Sequence, residues 1–144
     1  MKKLILILAI CVAFGCKKKN ETVEDDITKY SWPLTSATIS PALVVNGRAE
    51  TNFKIMSGPS GCLNNNYTLS FSNDGSFAFT SNGPLCDMIS YQNAKWSKKG
   101  NEITLNDGQP HNVILSGNII TDKYSFNQDN INYTVTYIYT ARSK

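Results

Sequence analysis

The chain has 144 residues and a formal charge of +3, from 14 Lys and Arg against 11 Asp and Glu, with a single histidine. That length fits one domain, and the near balance of charge leaves no dense basic face of the kind nucleic acid requires. One histidine and scattered carboxylates leave little material for a Ser-His-Asp arrangement, or for the about four ligands of a zinc site.

In chain order, the first element is a targeting segment. Lys2 and Lys3 precede an unbroken apolar run from Leu4 to Phe14, and Gly15 stands before Cys16. A positive start, a short apolar stretch and a small residue make a secretory signal over residues 1–15. The run falls short of the about 20 apolar residues that span a membrane. Within it, Ala13-Phe14-Gly15-Cys16 resembles the lipobox of bacterial lipoproteins. That resemblance implies cleavage before Cys16, a lipid on its thiol, and a protein anchored to a membrane of the cell envelope, the outer membrane being the expected one. Removal of Lys2 and Lys3 lowers the formal charge from +3 to +1.

Residues 16–29 follow as an expected flexible tether. Lys17, Lys18 and Lys19 sit beside the anchor, and Glu21, Glu24, Asp25 and Asp26 offset them. Val23 and Ile27 are its only large apolar residues, too few to order it. Of the four cysteines, Cys11 leaves with the signal and Cys16 takes the lipid. Cys62 and Cys86 remain in a disulfide-permissive compartment and are expected to pair.

The domain is expected over residues 30–144. Tyr67, Leu69 and Phe71 alternate with polar residues, as do Phe77 and Phe79, and the series Ile131, Tyr133, Val135, Tyr137 and Tyr139. Period-two alternation gives a strand one buried and one solvated face. Turn signals punctuate these runs: Asn73-Asp74-Gly75, Lys99-Gly100-Asn101, Asp107-Gly108, Ser116-Gly117-Asn118 and Gln128-Asp129-Asn130. Asp74, Asp107 and Asp129 are read as turn formers. Eight strands result, at about 31–39, 66–72, 76–81, 91–98, 102–106, 111–116, 118–126 and 130–140. Ala49 to Met56 is expected to hold one or two helical turns. Hairpin links between neighbours imply an all-β, eight-stranded antiparallel up-and-down barrel, which removes its own edges.

Two consequences of that topology can be checked. The long links 40–65 and 82–90 must lie at one end, the top, and they carry Cys62 and Cys86. First and last strands must be neighbours, which brings Trp32 and Arg142 together at the bottom as a closure pair. A stack of the two would contribute about 0.5–2 kcal/mol.

Ordered pieces carry a second resemblance. Tyr30-Ser31-Trp32-Pro33-Leu34, Tyr67-Thr68-Leu69-Ser70-Phe71 with Asn73-Asp74-Gly75-Ser76-Phe77, Trp96-Ser97, Gly100-Asn101-Glu102-Ile103-Thr104-Leu105 and Tyr139-Thr140-Ala141-Arg142 together resemble bacterial lipocalin-like lipoprotein domains. The likeness spans about residues 30–142. It implies a small barrel and binding of an apolar molecule, and no particular substrate.

No Gly-x-Ser-x-Gly elbow or phosphate-cradling glycine loop is present. The chain is therefore not expected to be an enzyme, and no cofactor or metal is expected. His111 is read as an exposed loop residue. Strand direction places Trp32, Phe71, Phe77, Trp96, Tyr137 and Tyr139 low in the interior. Tyr67, Phe79, Leu105, Tyr124 and Tyr133 are placed near the top, as candidate ligand-binding residues. Two functions stay open: a binding module for a small hydrophobic or amphipathic ligand, and a surface interaction protein of inhibitor or adhesin type that uses its top loops over a filled barrel.

Overall fold

A computed structural model describes residues 26–56, 58–86 and 91–144, without the side chains of residues 58–60. The expected signal, Cys16 as the expected lipid attachment site and most of the expected tether lie outside the described residues.

The fold is all-β. Ten strands are present: β1 Tyr30–Val45, β2 Arg48–Asn52, β3 Thr68–Phe71, β4 Phe77–Thr80, β5 Lys95–Lys99, β6 Glu102–Asn106, β7 His111–Ser116, β8 Ile119–Gln128, β9 Ile131–Thr140 and β10 Arg142–Ser143. Eight of them run antiparallel in the order β4-β3-β1-β9-β8-β7-β6-β5. This is the meander read from the alternation, curled into a nearly closed barrel. The tight turns supply the backbone it needs: Asp129 and Asn130 adopt φ of 52° and 62° between β8 and β9, the mirror-image turn that suits a twisted hairpin.

Closure between β4 and β5 is narrow. The ladder there is one bridge, Ser76 with Lys95, reinforced by the Trp96 amide donating to the Gly75 carbonyl at 2.9 Å. Above it a 3-10 turn, Tyr91–Asn93, stands where a longer fourth strand was expected. Ring contacts continue the seam there, with Tyr91 at 5.9 Å from Phe77 and 5.5 Å from Phe79.

Two boundaries shift from expectation. Ile27, assigned to the tether, is 1% exposed and belongs to the core. A 3-10 turn, Ile27–Lys29, tucks it beneath the barrel, where its carbonyl accepts the Trp32 indole N–H at 3.2 Å. The packed domain thus starts three residues early, because one apolar side chain finds the open end of a barrel to fill.

The second shift is at the top. β1 continues to Val45 and returns as β2, with Leu43 opposite Glu50 and Val45 opposite Arg48. Asn46 (φ 51°) and Gly47 (φ 77°) make the turn. Arg48–Asn52 is therefore strand, and Phe53–Ile55 alone forms a single helical turn in the region expected to be helical. A further 3-10 segment, Gly58–Asn64, carries Cys62. Residues 53–56 and 58–64 fold inward over the barrel top: Leu63 joins the main core, and Met56 joins a second cluster with Ile39, Tyr133 and Val135. The Lys54 ammonium donates to the Leu34 carbonyl at 2.7 Å and ties the segment to β1.

The disulfide Cys62–Cys86 joins the two top links, with Cα atoms 5.2 Å apart. At the bottom, first and last strands meet as expected, Ser31 pairing with Arg142. The side chains do not follow. Arg142 is exposed, while Trp32 is fully buried and makes ring contacts with Tyr30 and Phe71. The expected guanidinium stack gives way because an indole sealed by Ile27 offers no open face. Lys144 serves that end instead, donating to the carbonyls of Thr28 at 2.7 Å and Phe71 at 3.2 Å.

Candidate functional site

The lower interior is solid. Trp32, Phe71, Phe77, Ile103, Leu105 and Ile120 are buried together, so little room is left among them. Leu105, expected near the top as a binding residue, is 0% exposed and is part of this core. Tyr133 is also packing: it stacks on Phe126 with centroids 5.4 Å apart, under the inward fold of residues 53–56.

Above the solid part lies an open pocket of about 350 Å³, within the range that small-molecule sites occupy. Tyr67, Phe79 and Tyr124, three of the five candidate residues, line it. Tyr67 and Phe79 face one another across the β3–β4 edge, stacked at 5.0 Å. Tyr137 and Tyr139, expected low, line the pocket as well. Phe53 and Met56 pack against Ile39 of β1 and Tyr133, Val135 and Tyr137 of β9, and the pocket opens beside His111 of β7 and Asp122 and Tyr124 of β8.

Two polar residues of the pocket were not expected there. Asp122 sits on the inner face of β8, between Ile120 and Tyr124, and pairs across the ladder with Tyr137. Its side chain is 12% exposed. His111 opens β7 on the same face as buried Val113 and Leu115, and pairs with Leu105. Its Nε2 lies 3.7 Å from the Asp122 carboxylate, and its side chain is 43% exposed. That distance is an ion-pair contact rather than a hydrogen bond. Asp122 holds the imidazole pKa above its ordinary value, burial opposes this, and Asp107 adds to the rise. His111 is thus a rim residue facing a carboxylate, not a plain loop histidine.

Parity along the strands was the available signal for both. Ile120, Asp122, Tyr124 and Phe126 share one alternation, as do His111, Val113 and Leu115. Elsewhere the acidic residues do behave as turn formers. Asp74 accepts from the Ser76 amide at 2.9 Å and from its hydroxyl, which lowers its pKa, and Asp107 accepts from the Gln109 amide at 3.4 Å.

The phenols of Tyr137 and Tyr139 are held neutral. Burial raises the Tyr137 pKa, with its hydroxyl donating to that of Tyr124 at 3.5 Å, and burial raises that of Tyr139 well above the ordinary range. The site therefore offers aromatic faces, neutral hydroxyls and one recessed carboxylate. Among the described residues no three His, Cys, Asp or Glu side chains converge as a metal site would need.

Fold and site together define a small antiparallel barrel, closed below and open above through an aromatic mouth. No protein-family model matches the chain, and neither a curated protein nor a solved structure is significantly similar to it.

Proposed function

We propose that the protein is a lipid-anchored lipoprotein of the cell envelope whose barrel takes up a small amphipathic ligand through its mouth. The observation that carries this reading is the aromatic pocket of about 350 Å³ lined by Tyr67, Phe79 and Tyr124. Such a lining buries a ligand's apolar part and leaves hydroxyls to orient its polar part. The ordered sequence pieces that resemble lipocalin-like lipoprotein domains agree with it.

The anchor reading rests on residues 1–16. It gives the domain an orientation, because the chain enters β1 at the end opposite the pocket. A lipid on Cys16 would lie below the sealed Trp32 end, and the mouth would face away from the membrane. An outer-membrane location follows from the same resemblance.

Native mass spectrometry of the protein released gently from membranes tests the reading. A small molecule bound one-to-one, and lost on denaturation, is the expected result. Protein that is ligand-free, and that stays so when incubated with membrane extract, would end it.

A second reading has its own observation. Val44 and Ile55 are 69% and 58% exposed on and beside the β1–β2 hairpin, an apolar tip of the kind that partner contacts use. Exchange of that hairpin for a polar turn would abolish partner capture under this reading, and leave small-molecule uptake intact.

A further inference from the structure

The electrostatics of the mouth go beyond a general affinity for amphiphiles. Asp122 is recessed among Tyr137, Tyr139 and Ile120 on the inner face of β8, its side chain 12% exposed. Its nearest cationic partner is His111 at 3.7 Å, which is charged only when protonated. A carboxylate withdrawn from water without a matched cation is costly. When the imidazole is neutral, Asp122 loses its ion-pair partner, and the remaining cation of the lining, Lys123, is exposed at the next position of β8.

The walls favour the same kind of guest. Phe79 lies 5.5 Å from Tyr91 and 6.2 Å from Tyr139, while Tyr137 lies 5.8 Å from Tyr124. Aromatic faces carry the negative end of the ring quadrupole and attract a cation within about 6 Å. A metal ion would want several oxygen or nitrogen ligands, whereas an organic ammonium needs only one carboxylate and π faces. An anionic guest would meet Asp122 head-on.

Resting on the proposed uptake of a ligand at the mouth, we infer that the guest is an organic ammonium, a primary or quaternary amine on an apolar group, with Asp122 as its counter-ion. His111 then acts as an internal competitor. Facing Asp122 are His111 from β7, Lys123 from β8, Asp107 from the β6–β7 turn and the phenols of Tyr67, Tyr137 and Tyr139. Imidazole is the side chain among these that ordinarily titrates between about pH 5 and 8. Protonated, it supplies the positive charge that the guest would bring.

An NMR titration of the full chain with 2-phenylethylamine and with 2-phenylethanol, its neutral counterpart, tests the inference. At about pH 8 the amine is expected to bind at least about ten-fold tighter than the alcohol. Asp122→Asn, whose amide spectrum must match the wild type to show an intact fold, is expected to bring the two ligands within about three-fold by weakening the amine alone. Acidification to about pH 5.5 is expected to weaken the amine in the wild type but not in His111→Gln. Equal binding of amine and alcohol overturns the inference and leaves the mouth as a site for amphiphiles. A preference for the amine that survives Asp122→Asn overturns it too, by placing the charge selection elsewhere. Binding of neither ligand at the highest soluble concentration overturns both the inference and the reading beneath it.

Discussion

The indole of Trp96 donates to the Ser72 carbonyl at 3.2 Å, and its ring packs edge-on against Phe71 at 5.3 Å. This pair fastens β5 to the β3–β4 turn at the point where the barrel has only one ladder bridge. Closure therefore depends on a side chain where most of the barrel depends on backbone pairing.

Trp96→Phe keeps an aromatic ring and removes the donor. It is expected to destabilise by about 1 kcal/mol, the usual net worth of one hydrogen bond. Trp96→Ala should lose about 2–3 kcal/mol, less than a fully buried aromatic because the ring is half-buried. Urea unfolding of both variants measures this, and equal values for the two would mean that the ring contact with Phe71 contributes nothing.

Ile27 separates a domain that begins at residue 27 from one that begins at Tyr30. Ile27→Ala should destabilise by about 2–5 kcal/mol, the range for a buried aliphatic side chain. A loss below about 0.5 kcal/mol, typical of surface positions, would return Ile27 to the tether.

The disulfide closes a loop of 24 residues in sequence separation. In the chain-entropy model its removal costs about 3–4 kcal/mol. The double variant Cys62→Ala/Cys86→Ala should show that loss as a lower urea midpoint, and the segment 53–64 should exchange its amide hydrogens faster than β8 and β9. Uniform exchange across the barrel would contradict the assignment of the bridge to the top plug.

His111 gives the protein a pH dependence with a definite sign. Its pKa is raised in the folded state from the ordinary 6.5. Its stabilising effect is therefore complete below about 6.5 and fades as pH rises through the raised native value. The half-exposed ring keeps the effect small. The difference in urea midpoint between wild type and His111→Asn should shrink across that interval. A difference that stays constant, or grows with pH, would contradict the ion pair with Asp122.

The meander was legible because each strand carries its own alternation and each turn its own Gly, Asn or Asp. Cys62 and Cys86 were legible because strand count alone put their links at one end. The β1–β2 hairpin was signalled too, since Asn46-Gly47 between Val45 and Arg48 is a strong short-range hairpin signature. The length of the 40–65 link masked it, by suggesting one loop. Asp122 and His111 could be read from parity, but a carboxylate at an inward position runs against the rule that inward means apolar. The inward placement of Tyr133 and Leu105 was legible from alternation, but not that both pack in the core instead of lining the pocket. For Tyr133 that depends on where Phe53 and Met56 come to rest, which is a matter of tertiary packing and not of local pattern.

Under the proposed function the mouth of this barrel accepts a small molecule while the rest of the interior is full. The most direct measurement is an NMR titration with a neutral aromatic amphiphile, followed residue by residue. Saturable shifts are expected at Tyr67, Phe79, His111, Asp122, Tyr124 and Tyr137, with Trp32, Phe71 and Leu105 unmoved. Shifts that never saturate, or that gather at Val44 and Ile55 on the outer hairpin, would contradict it.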